Sequence, residues 1–212
     1  MRHPHGLRAA AGVDTELQIG DAYEGGFFAG YISHTDNSVA THGLIVAPAA
    51  SGYNGKLTLQ WKTSNTSTAD TASPFDGAIN SANMNNASHP AAQYCEGLSI
   101  GGYSDWYLPA RYELDIAYEN LKPTTDNNNT SWGVNPYSVP ERTVNRTAGT
   151  PAQTSIAAFQ SGGAEAFVAT FHWSSTETDA TNAWRPRLSD GGQFYIAKNS
   201  QGFVRAFRKI AL

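Results

Sequence analysis

Apolar positions along the chain fall into two kinds of pattern, with polar stretches between them. Residues 25–33 (GGFFAGYIS) and 42–49 (HGLIVAPA) are short runs rich in aromatic and β-branched residues, separated by the turn-type cluster His34–Ser38. Such runs around such a cluster predict a β-hairpin. Leu57, Leu59 and Trp61 alternate with polar residues, which predicts a third strand over 56–63. A Ser/Thr-rich loop follows at 63–77. From 76 to 98 the period changes, and Ile79, Ala82, Ala91, Tyr94, Cys95 and Leu98 recur at helical spacing. Pro90 suits the first turn of the second part of this segment, where its missing N–H is harmless. A second helix is predicted over 109–121, with Pro109 in its first turn and one apolar stripe of Leu114, Ala117, Tyr118 and Leu121.

Residues 122–165 have almost no periodicity, apart from a short helical turn expected at 153–159. Loops of that length inside a compact domain are usually functional or mobile. Four strand-like runs, 166–176, 183–190, 192–199 and 202–210, close the chain, and Asp190-Gly191 is a hairpin-turn signal. Strands, two helices, long loops and more strands predict an α+β fold, with helices packed on antiparallel sheets. Residues 1–20 carry little pattern and read as an arm ahead of one domain spanning 21–212.

Composition sharpens this picture. Only 15% of the 212 residues are charged, against about 25% in an ordinary soluble domain. The balance is 18 Ser, 19 Thr and 15 Asn, concentrated in 63–88, 124–150 and 174–182. The net charge of −4 argues against a nucleic-acid partner, which needs a basic patch. No apolar run approaches a membrane span. The N-terminus lacks the apolar segment of a signal peptide, so synthesis in a cytoplasm without a cleaved export signal is expected.

Candidate chemistry is sparse. Cys95 is the single cysteine; it sits in a helical run and reads as a buried small residue, not a reactive thiol. The six histidines lie in no recognised catalytic motif, and no G-x-S-x-G elbow anchors a hydrolase triad. His3 and His5 offer two imidazoles, too few for a closed metal site. Phosphate-cradling loops are absent, so no nucleotide cofactor is expected. The chain reads as a non-enzyme with no metal and no cofactor.

Three motifs, in order, carry a family resemblance: GGYSDWYLPARYEL at 101–114, FHWSSTETDATNAW at 171–184 and GFVRAFRKI at 202–210. With them the chain resembles the Lcl C-terminal-domain family, a C-type-lectin-like group of bacterial adhesins and phage virion proteins. The matching positions are Gly102, Asp105, Trp106, Leu108 and Pro109, then Trp173, Ser174, Ser175, Thr176 and Glu177, then Val204, Arg205, Phe207 and Arg208. Phe207 departs mildly from the valine of the family pattern. The resemblance implies a C-type-lectin-like fold, often trimeric, that presents loops for binding, and it implies no catalysis. The Glu-Pro-Asn, Gln-Pro-Asp and Trp-Asn-Asp segments of calcium-dependent lectins are missing. That leaves the run 126–129 and Asp179 as the places open to an adventitious cation.

The motif residues read as scaffold. Binding is expected in two loop regions that mix aromatics, amides and arginines: Trp132, Asn135, Tyr137, Arg142 and Asn145 in the first, and Asp179, Asn182, Arg185, Arg187 and Tyr195 in the second. Alternation along AWRPRL assigns Trp184, Pro186 and Leu188 to the core and the two arginines to the open face. The expected role is a phage virion protein, at a tail or fibre tip, whose domain binds a host-surface glycan or protein. Residues 1–20 would attach it to other virion proteins in a homo-oligomer, with a trimer favoured. The rivals are a purely structural head or tail decoration and a secreted adhesin at a cell surface.

Overall fold

The first two apolar runs pair as expected. In the computed structural model, which describes residues 16–35, 37–53 and 58–212, β2 (Gly26–Ile32) lies antiparallel to β3 (His42–Val46), with Phe27 opposite Val46 and Ile32 opposite His42. β9 (Phe207–Ala211) extends the sheet beyond β3, and β1 (Ala22–Tyr23) and β5 (Ser138–Val139) both pair with β2. Two smaller antiparallel pairs accompany it: β4 (Thr58–Gln60) with β8 (Gln201–Phe203), and β6 (Asn182–Trp184) with β7 (Tyr195–Ala197). Among the described residues four α-helices complete the α+β architecture: α1 (Ala49–Gly52), α2 (Gly77–Ala82), α3 (Pro90–Glu96) and α4 (Arg111–Leu121).

The main sheet is buried on both faces, which is why β2 and β3 read as near-continuous apolar runs and not as strict alternations. Phe28 and Ile45 pack in one cluster with Trp61, Trp106 and Trp173, while Ala29, Ile32, Leu44, Val46 and Phe207 pack in a second with Leu114, Ile116 and Leu121 of α4. Each large side chain so buried contributes about 1.5–3 kcal/mol. A register shift between Phe28 and Gly30 puts a bulge in β2 under α4. Gly30 has φ +133°, and a Cβ there would lie 2.6 Å from Asn120 Nδ2 and 2.9 Å from Ile116 Cγ2. Asn120 closes the bulge by donating to Ala29 O at 2.7 Å.

Several expectations give way to tertiary pairing. The strand expected over 56–63 ends at Gln60 as β4 and pairs with β8; residues 56 and 57 lie outside the described residues. The helical segment 76–98 is two helices, capped separately: Asp76 Oδ1 accepts Ile79 N–H at 3.2 Å to start α2, and Pro90 opens α3. Residues 166–176 form no strand. The run 202–210 splits into β8 and β9 around Arg205. That guanidinium is buried and donates to Ala47 O at 2.9 Å and Glu165 O at 2.6 Å, with a 2.8 Å ion pair to Glu165 Oε2. At the N-terminal side, Leu17 is buried and Gly20 N–H donates to Phe28 O at 2.8 Å. The folded unit thus reaches back beyond residue 21. Residues 1–15 of the expected arm lie outside the described residues.

The segment Trp173–Glu177 ties these parts together. Four of its amides go to four different distant partners: Trp173 N–H to Phe203 O at 2.9 Å, Ser174 N–H to Trp184 O at 3.0 Å, Ser175 N–H to Pro109 O at 2.7 Å and Glu177 N–H to Thr71 O at 2.8 Å. Such divided bonding cannot make a ladder. Trp173 Nε1 donates to Leu59 O at 2.8 Å, and Ser174 O accepts Trp61 Nε1 at 2.9 Å. Ser175 Oγ accepts from Asn80 at 3.1 Å; Thr176 Oγ1 accepts Arg111 N–H at 3.1 Å and donates to Ser73 O at 2.9 Å. Glu177 Oε2 accepts Thr68 N–H at 2.9 Å and the Thr71 hydroxyl at 3.0 Å. Two buried lysines then organise the Ser/Thr loop. Lys62 Nζ donates to Ser67 O at 2.7 Å and to Thr66 O at 3.1 Å; Lys198 Nζ donates to the same Thr66 O at 3.0 Å and pairs with Glu177 at 3.1 Å.

Three imidazoles are enclosed as neutral bases. His172 packs fully buried against Tyr53, with its pKa pushed down to about 3 by burial; His89 and His34 are pushed down to about 4, again mainly by burial. Each folded-state value lies below the ordinary 6.5, so the unfolded chain takes up protons that the folded chain refuses. The contribution of these histidines to stability is therefore full above pH 6.5 and falls as the pH drops from 6.5 towards 4, and it outweighs the opposite slope of the single buried Glu113, whose carboxyl burial pushes up to about 8. Urea denaturation at successive pH values should show this decline, and a flat profile across the window would refute it.

Candidate functional site

The two expected loop regions meet on one surface, joined by side chains that lie between them. Trp132 stands edge-on to Trp184, with centroids 6.2 Å apart at 82°, and Trp184 stands edge-on to Tyr195 at 5.5 Å. Trp184 and Tyr195 are opposite residues of the β6–β7 pair. Arg111, the first residue of α4, places its guanidinium carbon 4.1 Å from the Trp184 ring centroid and 4.6 Å from that of Tyr112. Tyr112 leans on Tyr137 at 5.6 Å, and Tyr137 stacks on Phe75 at 4.2 Å and 22°. Tyr195 is 58% exposed, and the other members of this ridge are half-buried. Trp184, expected in the core, belongs to the ridge instead, while Pro186 and Leu188 are buried.

Inward-facing polar side chains hold the long loop that carries Trp132 and Tyr137. Asn135 is fully buried; its Nδ2 donates to Tyr112 O at 3.2 Å and Asp115 Oδ2 at 3.1 Å, and its backbone bonds that of Arg142. Arg142 pairs with Asp115 and, at 2.5 Å, with Glu119, one turn further along α4. Arg146 pairs with the same two carboxylates at 2.6 and 3.1 Å. It also donates to Gly191 O at 3.2 Å, in the Asp190-Gly191 turn. Gly191 has φ +72°, and a Cβ there would lie 2.4 Å from Tyr118 Cε1. Nearer the start of the loop, Lys122 Nζ donates to Asn128 Oδ1 at 2.8 Å, and Asn128 Nδ2 donates to Thr147 O at 3.0 Å and Pro151 O at 2.9 Å.

Asn135 and Arg142, expected to face a ligand, are thus internal braces. Asn145 is exposed and borders a shallow pocket of about 320 Å³ with Glu119, Val144 and Arg146. In the second region Asp179 accepts from Thr181 and Asn182 within its own turn; those bonds, with the Asn182 side chain first, hold its carboxyl down at about 2. Arg185 lies 4.4 Å from the Phe171 centroid and donates to Gln201 O at 2.9 Å, and Arg187 is paired with Asp190. Trp132, Tyr137 and Tyr195 are therefore the expected residues that the fold gathers on one surface.

Arg111, Tyr112 and Phe75 were not foreseen. Arg111 did leave a signal: a cation in the first turn of a helix opposes the macrodipole, at a cost of about 0.3–1 kcal/mol. The motif residues are engaged inside the fold. Trp106 and Leu108 are buried, and Pro109 O accepts from Ser175. Arg208 binds Asp105 through Nε at 2.5 Å and lies 3.8 Å from the Tyr103 centroid. The Cys95 thiol is buried, which pushes its pKa well up. Among the described residues no group of three or more His, Cys, Asp or Glu is placed to hold a metal ion. The ridge offers aromatic faces, one guanidinium and backbone amides, which are recognition groups.

The fold and surface define an α+β domain whose signature segments are internal and whose loops present aromatic rings. The model of the Lcl C-terminal domain family matches residues 53–208, about three quarters of the chain, and the chain belongs to that family. No curated protein matches it. The match takes in all the ridge residues and most of the third motif, while β1, β2 and β3 precede it. The brace beneath the ridge is testable. Asp115→Ala leaves two largely buried guanidinium groups short of a partner, and breaking such a pair costs about 3–5 kcal/mol. Denaturant unfolding should show that loss, and a change under about 1 kcal/mol would remove the cluster from its role.

Proposed function

We propose that this domain is a non-catalytic binding module of a phage virion, C-type-lectin-like in kind, carried at a tail or fibre tip. It engages a host-surface glycan or protein through the ridge of Trp132, Trp184 and Tyr195. The observation that carries this reading is the gathering of accessible aromatic faces from two separate loop regions onto a braced base. Aromatic side chains bring large contact area at low entropic cost. The Asn- and Thr-rich rim supplies hydrogen bonds of the kind that sugars and polar protein surfaces accept. Among the described residues no helix is long and apolar enough to cross a membrane. A homo-oligomer, with a trimer favoured, would repeat the ridge and raise avidity. A secreted adhesin would use the same ridge.

Wild-type protein should bind envelope preparations of the bacterial host, and Trp132→Ala with Tyr195→Ala should weaken that binding tenfold or more. The melting temperature should stay within a few degrees. Firm binding to capsids or tails with none to envelopes would replace this reading with a structural decoration. The N-terminal segment is tested separately, by removing residues 1–15 and keeping buried Leu17. That protein should fold normally by circular dichroism yet be absent from particles. Equal incorporation would end the attachment role.

A further inference from the structure

Seven arginines lie among the described residues, and five are ion-paired: Arg142 and Arg146 with Asp115 and Glu119, Arg187 with Asp190, Arg205 with Glu165, and Arg208 with Asp105 and Glu24. Arg185 donates to a backbone carbonyl. Arg111 differs from all of these. Among the described residues its guanidinium has no carboxylate and no hydrogen-bond acceptor; its Nε is buried without a partner, as are those of Arg142 and Arg185, whose guanidinium groups are engaged through other nitrogens. It is held by the Trp184 and Tyr112 rings, at 4.1 and 4.6 Å. The acids of its own helix are engaged elsewhere: Glu113 with Ala110 N–H and the Tyr107 hydroxyl, and Asp115 and Glu119 with Arg142 and Arg146.

We propose that Arg111 is the charge-reading residue of the ridge and pairs with a carboxylate on a sugar ring. The inference rests on the ridge being a glycan-binding surface. A guanidinium is a planar fork that matches a carboxylate with two parallel hydrogen bonds. Contact with two rings restricts the movement of that fork before a ligand arrives, which lowers the entropic cost of pairing. Neighbouring aromatic faces take the apolar faces of the adjoining sugars. The ligand class is a sparsely charged one. The ridge has one unpaired guanidinium; Arg185 is turned to the Phe171 ring and Gln201 O, and Arg142, Arg146 and Arg187 are already neutralised. A densely sulfated polymer would find one cation where it needs several. An oligosaccharide that is uncharged apart from one uronic or sialic acid meets the full complement.

Calorimetry on the full chain tests this with five probes: sialyllactose, a glucuronate-terminated disaccharide, the methyl ester of each, and lactose. At least one acid should bind; the sialyl and glucuronyl probes tell the two carboxylate sources apart. Esterification and Arg111→Gln should each weaken that binding tenfold or more, and Arg111→Lys, which keeps the charge but loses the fork, should recover part of it. The ester should bind Arg111→Gln and wild type alike, because its partner group is already gone. Failure of both acids to bind, or equal binding of acid and ester, overturns the proposal, as does a Gln variant that still prefers the acid. Heparin that binds tightly irrespective of Arg111 also overturns it. If lactose binds in a Trp132-dependent way while Arg111→Gln has no effect, the glycan-binding ridge stands and only the carboxylate assignment falls.

Discussion

The rest of the structure depends on a five-residue stretch that belongs to no sheet. Trp173–Glu177 is buried or nearly so along its length, and a buried backbone group without a partner is costly. Here the partners come from all sides: β4 and β8, the turn into α4, the strand end at Trp184 and the loop around Thr71. Ladder pairing would have satisfied the same amides but joined only two elements. Distributed bonding joins five, and the short hydroxyls of Ser174, Ser175 and Thr176 complete it without demanding volume. The ridge inherits its geometry from this junction, since Arg111 N–H rests on Thr176 Oγ1 and Trp184 N–H on Thr176 O, at 3.1 and 3.0 Å.

Local signals were legible in the sequence where they decided the outcome. The hairpin of β2 and β3, the proline start of α3 and the stripe of α4 are local matters of period and punctuation, and each appears where the pattern puts it. Residues 166–176 carry the same β-rich composition, yet the amides of His172–Ser175 are claimed one by one by distant carbonyls. No local rule registers that. Between α2 and α3, Asn86 Oδ1 takes the Ser88 N–H at 3.1 Å and contacts His89 Nδ1 at 2.9 Å, an alternative to helical bonding that breaks the segment.

The surface divides in the same way. Trp132, Tyr137 and Tyr195 stood out as aromatics in polar loops, and packing brings them together. Asn135 and Arg142 stood out equally, but a polar side chain carries no mark of which way it faces. Their direction was set by Asp115 and Glu119, which project from α4 one turn apart and meet two arginines that also lie four residues apart. The low charge of the chain takes on a different meaning beside this arrangement. Most of the described arginines hold loops to the body of the protein, so the outer surface is left to amides, hydroxyls and rings.

The lysines under the Ser/Thr loop extend that economy. Loops with converging carbonyls are commonly gathered by a dissolved cation, and their order then rises and falls with the ionic composition of the medium. Thr66 O faces two ammonium groups that are covalently part of the chain, and Glu177 supplies the counter-charge. The centre of attraction is synthesised with the loop, at one copy per loop, and cannot be diluted, exchanged or chelated. That part of the architecture is therefore the same in soft water and in hard.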